Sequence, residues 1–182
     1  MSWDLIGPID FESRLGLDEM NRALIEASDN GDDMTVRLLL SYKDVNPADW
    51  NNIAIRRAAE KGYLEVVKLL LGDARVNPAD EDNDAIIGAS EFGHLDVVRL
   101  LLRDDRVNPA AEDNAPIICA AGNGHLEVVR LLLGDRRINP ADENNYAIRL
   151  AAQKGHLEVV RLLLGDARVT LRRRLGQSSG PK

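Results

Sequence analysis

The sequence predicts an all-α solenoid of five stacked helix-turn-helix repeats with short loops. Three observations predict it. The run from Leu64 to Leu71 returns 31 residues later as Leu95 to Leu102, again as Leu126 to Leu133 and Leu157 to Leu164, with a degenerate copy at Val36 to Leu40. A glycine precedes every copy, at Gly31, Gly62, Gly93, Gly124 and Gly155. The run itself is apolar nearly all round, so one helix pair cannot cover it and stacked neighbours must.

Along the chain, residues 1–19 hold Trp3, Leu5, Ile6, Ile9, Phe11, Leu15 and Leu17, a composition suited to a capping segment folded over the first repeat. The array follows over 20–169, with repeats at 20–44, 45–75, 76–106, 107–137 and 138–168. Their helix pairs are expected near 20–41, 52–72, 83–103, 114–134 and 145–165. The first repeat carries Asp33 and Thr35 where the others have Leu and Val, as a terminal repeat should. Within the third repeat, Val76-Asn77-Pro78-Ala79 is expected to be extended, because proline disfavours helix in the residue before it. Asp80 to Asn83 reads as a turn, and Asn83 (with Asn52, Asn114 and Asn145) falls where a helix N-cap is wanted. The first helix carries small residues, Ala58-Ala59, Ala89, Ala120-Ala121 and Ala151-Ala152, that let a neighbour approach. Gly93 ends it in a tight turn that needs positive φ. In the second helix Asp96 and Arg99, three apart, pair on the solvent side, as do Glu65 with Lys68, Glu127 with Arg130 and Glu158 with Arg161. After the last copy only Val169, Leu171 and Leu175 remain to cover it, among Arg172-Arg173-Arg174. Residues 170–182 are therefore expected to form a partial cap and a flexible tail.

Composition narrows the function. Hydrophobic content of 45% with 29% charged residues suits a folded chain. The formal net charge of −7 argues against a nucleic-acid partner, since phosphate binding needs a basic surface. No apolar run approaches membrane-spanning length, so no membrane partner is expected. The single cysteine, Cys119, excludes an internal disulfide; with no basic-then-apolar leader, the chain reads as cytoplasmic and soluble.

Gly124-His125-Leu126-Glu127-Val128-Val129-Arg130-Leu131-Leu132-Leu133, following the Ala-Ala helix, resembles the ankyrin repeat. The pairs Val45-Asn46, Val76-Asn77, Val107-Asn108 and Ile138-Asn139 match that family's Val-Asn. The period of 31 is shorter than the family's usual length, and its Thr-Pro-Leu-His is replaced by Ile53-Ala54-Ile55-Arg56 and its counterparts. The resemblance implies a non-catalytic protein-binding module or scaffold, with partners docked on the loop tips and the concave, first-helix side. Two alternatives stand beside it. One is a self-assembling or structural protein, monomer or dimer, joined through the uncapped C-terminal repeat. The other is a consensus-designed scaffold, given copies so alike.

Catalytic chemistry finds no support in the residues. His94, His125 and His156 are one repeat apart, too far to share a zinc ion, and read as fixing the turn between helices. Cys119 lacks a neighbouring base and reads as a small buried hydrophobe. No catalytic residue, cofactor or metal is expected. Comparing repeats within the chain separates a framework from variable positions. One position runs Ile53, Asp84, Ala115, Tyr146; a second Arg57, Gly88, Cys119, Leu150; a third Lys61, Phe92, Asn123, Lys154; and the loop position Trp50, Glu81, Glu112, Glu143. From these the expected partner-binding residues are Trp50, Ile53, Arg57, Lys61, Asp84, Phe92, Asn123, Tyr146 and Lys154. If the acidic row Asp49, Asp80 to Asp82, Glu112-Asp113 and Asp142-Glu143 lines that edge, the protein partner there is basic. Arg75, Arg106, Arg137 and Arg168 read as a separate basic series.

Overall fold

The computed structural model describes residues 16–169. They fold into five helix pairs: α1 (Leu17–Asn30) with α2 (Asp33–Leu40), α3 (Asp49–Glu60) with α4 (Leu64–Leu71), α5 (Asp80–Glu91) with α6 (Leu95–Leu101), α7 (Ala111–Gly122) with α8 (Leu126–Leu133), and α9 (Asp142–Gln153) with α10 (Leu157–Leu164). No strand occurs among the described residues. The odd-numbered helices pack on one another in sequence and the even-numbered helices do the same, which gives two parallel layers of helices. The capping segment expected at 1–19 lies outside the described residues except for 16–19, and so does the tail at 170–182.

The core is a column repeated at each step. Ile55, Ile86 and Ile117 from the first helices, and Leu70, Leu101, Leu132 and Leu163 from the second, are fully buried. The small residues do what their size allows: Ala58, Ala59, Ala89, Ala120 and Ala121 are 0% exposed between neighbouring helices. The i,i+3 pairs stand on the exposed side of the second helices, at 2.6 Å for Lys68–Glu65 and 2.7 Å for Arg161–Glu158. Such exposed pairs add little stability.

The start of each first helix differs from a simple N-capped turn. Trp50-Asn51-Asn52, Glu81-Asp82-Asn83, Glu112-Asp113-Asn114 and Glu143-Asn144-Asn145 all have φ between 46° and 68°. Three consecutive residues thus make one left-handed turn before the right-handed helix begins. Ordinary residues resist this conformation at roughly 1–2 kcal/mol each, so surrounding bonds must hold it. The asparagine closing the turn supplies one, and its side chain does not cap its own helix as the sequence suggested. Asn52 Oδ1 accepts the backbone N–H of Asn77 in the next repeat at 2.8 Å, Asn83 that of Asn108 at 2.7 Å, and Asn114 that of Asn139 at 2.7 Å. Asn52 Nδ2 also donates to Asp80 Oδ2, and Asn114 Nδ2 to Asp142 Oδ2, each at 2.7 Å. Pro116 fits because it lies in the first turn of the right-handed segment, where no intrahelical donor is needed.

Two further side chains join the repeats. Each histidine after the glycine reaches backwards: His94 Nε2 lies 2.9 Å from Glu60 O, His125 Nε2 2.8 Å from Glu91 O, and His156 Nε2 3.1 Å from Gly122 O. The histidine therefore ties its repeat to the preceding one, a wider role than fixing its own turn. The arginine series is not a free basic surface either. Arg106 grips both oxygens of Asp104 and donates from Nη1 to Val76 O, 30 residues back, at 2.7 Å. Arg75, Arg137 and Arg168 repeat this on Val45, Val107 and Ile138. The guanidinium beside each of Asp73, Asp104, Asp135 and Asp166 holds that carboxyl below the ordinary aspartate range.

Candidate protein-docking face

The framework leaves a specific set of side chains exposed or half-buried. In the second to fifth repeats the left-handed turn lifts its first two residues away from the stack, and Trp50 is 68% exposed there. The next variable position lies at the entry to the right-handed helix. Ile53 and Asp84 are half-buried there, while Tyr146 is exposed with Arg149 over its ring at 5.7 Å. One turn on, Arg57 is exposed and pairs with Glu60 at 3.2 Å. The last position precedes the positive-φ glycine and holds Lys61, Phe92, Asn123 and Lys154, all exposed. All nine expected partner-binding residues are thus exposed or half-buried and lie on first helices or at their ends.

Polar side chains of the last position form a row between repeats. Lys61 Nζ reaches Asp29 at 2.9 Å, Asn123 Nδ2 donates to Glu91 O at 3.2 Å, and Lys154 Nζ donates to Asn123 Oδ1 at 3.4 Å. Phe92 breaks the row. Its ring stacks on His94 at 6.4 Å between centroids and stays 52% exposed. Arg56 Nε, on the same face, binds Asp84 Oδ2 across the repeat boundary at 2.9 Å. A cavity of about 220 Å³ opens beside Phe92, lined by Glu60, Asp84, Ile87, Gly88, Glu91 and Phe92. Sequence comparison singled out Asp84 and Phe92 but not the carboxylates of Glu60 and Glu91, although their position also varies, running Glu60, Glu91, Gly122 and Gln153.

The opposite layer offers two shallow clefts between second helices, one lined by Arg37, Leu40, Lys68 and Leu69 and one by Arg130, Leu133, Arg161 and Leu162. The end of the array differs from its interior. Leu157 is 64% and Leu164 44% exposed, whereas Leu64, Leu95 and Leu126 are only partly exposed. Gly62, Gly93 and Gly124 each face the ring of the following repeat's histidine; Gly155 faces nothing within 4 Å. Asn145 Oδ1 is buried with no hydrogen-bond partner among the described residues. The residue 25 further on, the spacing of the other asparagine bonds, is Thr170, outside the described residues.

For catalysis the described residues offer little. No group of three or more His, Cys, Asp or Glu stands close enough to hold a metal ion among them. Burial, and secondarily the Glu91 carboxylate, push the Cys119 thiol up, away from the reactive thiolate. No described helix is long and apolar enough to cross a membrane.

A family model described as ankyrin repeats (3 copies) matches residues 24–113 and 86–173. No curated protein matches the chain.

Proposed function

Because the chain belongs to the ankyrin-repeat family, whose repeats generally mediate protein–protein interaction, we propose that its first-helix and loop-tip face binds a protein partner without catalysis. One observation carries the reading. Positions that vary between repeats coincide with positions the framework leaves exposed or half-buried, and they lie together along one layer. Trp50, Phe92 and Tyr146 are its aromatic anchors, spread over the second, third and fifth repeats. The acidic loop tips beside them favour a basic partner, and the two charge signs would make association fall with salt. The soluble interior of the cell is the setting that fits such a module.

The test is affinity capture followed by titration of the purified partner. Trp50→Ala and Tyr146→Ala are each expected to weaken binding by tenfold or more, on the order of a hot-spot loss. Arg161→Ala, on the other layer, should leave it unchanged. Loss of binding with Arg161→Ala and none with Trp50→Ala would sink the reading.

The exposed Leu157 and Leu164 and the unpartnered Asn145 Oδ1 favour a second reading, self-association through the last repeat. Light scattering over a concentration series, with and without residues 170–182, separates the two. A mass that stays monomeric in both forms removes self-association; a dimer that appears on removing the tail makes the tail its guard.

A further inference from the structure

Gly88 stands where the other repeats have Arg57, Cys119 and Leu150. Leu150 shows how the site is otherwise filled: its Cδ2 packs onto Gly122 of the preceding repeat, where any Cβ would collide with it. At Gly88 no side chain extends from α5, and the residue facing it across the repeat boundary is Glu60 where Leu150 faces Gly122. A Cβ added there would only touch Glu60, at 3.4 Å. The result is the cavity of about 220 Å³ between α3 and α5. Pockets for small molecules run to roughly 300–1,000 Å³, so this volume suits one inserted side chain rather than a free ligand.

Its lining has two characters. Ile87, Gly88 and the Phe92 ring supply apolar surface, and the ring is left 52% exposed at the rim. Glu60, Asp84 and Glu91 supply three carboxylates. Glu60 gives one oxygen to Arg57 and Asp84 gives one to Arg56. The Glu91 carboxylate accepts no hydrogen bond from a described residue. The acidic loop tips share the charge, and they are explained as turn-formers. Here an uncovered aromatic, an apolar floor and carboxylates on two adjacent helices face one opening.

We propose that the Gly88 notch receives an arginine side chain of the protein partner. The aliphatic stem lies along Ile87 and the Phe92 ring, and the guanidinium takes the free carboxylate oxygens of Glu60, Asp84 and Glu91. Arginine fits better than lysine because its planar head stacks on an aromatic face and offers several donors in fixed directions to acceptors on different helices. The proposal rests on the docking-face reading and assigns that face its charge-selective point.

The experiment follows backbone amide shifts of the full chain during titration with N-acetyl-arginine amide, and with N-acetyl-citrulline amide as the uncharged isostere. Arginine amide should shift Gly88, Glu91 and Phe92 saturably, and the citrulline compound should not. Gly88→Leu fills the notch beside Glu60 and should weaken the probe about tenfold or more. Glu60→Gln combined with Glu91→Gln should weaken it similarly while leaving the cavity intact. Equal binding of both probes, or shifts centred on Asp80 to Asp82 that ignore Gly88→Leu, would overturn the notch. A captured partner that needs Trp50 but tolerates Gly88→Leu also overturns it and leaves the docking face standing. A probe held in the notch, with a partner indifferent to Trp50→Ala and Tyr146→Ala, overturns the docking face instead.

Discussion

Gly124 and Gly155 share one backbone conformation, at φ 78° and 80°, and differ in what stands beside them. A Cβ on Gly124 would lie 2.6 Å from Nδ1 of His156, whereas one on Gly155 would meet nothing within 4 Å. The two positions therefore separate backbone strain from collision. Gly155→Ala carries only the left-handed penalty, about 1–2 kcal/mol. Gly124→Ala carries the same penalty and must also move an imidazole whose Nε2 contacts the Gly122 carbonyl oxygen at 3.1 Å. Urea unfolding should show Gly124→Ala the more destabilising by about 1 kcal/mol or more, the cost of a disturbed buried hydrogen bond. Equal losses would mean that the histidine relaxes freely and does not lock the repeats. The glycine itself was legible in the sequence from its spacing. Its neighbour was not, because the ring that constrains it comes from one repeat further on.

At the scale of the helix and its loop, the sequence announced what depends on nearest neighbours and hid what depends on a partner about 30 residues away. The second helices were plain, since Leu64 to Leu71 and its copies are apolar on nearly every side. The left-handed turns were hidden: Trp50, Glu81, Glu112 and Glu143 are not residues that choose positive φ, and only the asparagines and aspartates after them hint at it. The arginines read as a basic series because their carbonyl acceptors lie in the previous repeat. That pairing predicts an acid response. Each of Asp73, Asp104, Asp135 and Asp166 has a folded-state carboxyl below its ordinary value of 3.8, first because of the arginine hydrogen bond. A depressed folded value means stability that is present above the unfolded value and lost as pH falls through the folded one. The urea midpoint should therefore hold down to about pH 4 and fall below it. Asp104→Asn should lower the midpoint at neutral pH and flatten the acid limb. An acid limb unchanged in that variant would show that other carboxylates govern it.

Among the described residues, each interior repeat is held by faces on both sides and the first and last by one, and these two are not equivalent. The first repeat presents Asp32, which accepts from Thr35 N at 3.0 Å and Thr35 Oγ1 at 2.6 Å, where later repeats present a ring that packs backwards. A second copy docking its first repeat onto the last would bring Asp32 to the place of a histidine, towards backbone carbonyl oxygen. Head-to-tail stacking of copies is thus disfavoured, and any self-association through the last repeat must use two like faces. The last repeat shows the opposite condition: its framework is unaltered, yet Ala152 is exposed where Ala59, Ser90 and Ala121 are fully buried, and Asn145 Oδ1 has no partner among the described residues. In a stack whose stability is a sum of repeat and interface contributions, a repeat that the described residues cover on one side alone has lower local stability. Native-state hydrogen exchange should give α9 and α10 lower opening free energies than α5 to α8, by about 1 kcal/mol or more. Asn114→Ala should then lower α9 and α10 further, since it removes the acceptor for Asn139 N–H, while Asn145→Ala should change them little. Uniform protection through α10 would mean that residues beyond 169 cover the last face as completely as a repeat does. The proposed docking face crosses this gradient, with Trp50 and the Gly88 notch in the well-held part and Tyr146 in the looser one. A partner that engages all three must order the last repeat as it binds, and the tightening of α9 exchange on binding measures how far its contact extends.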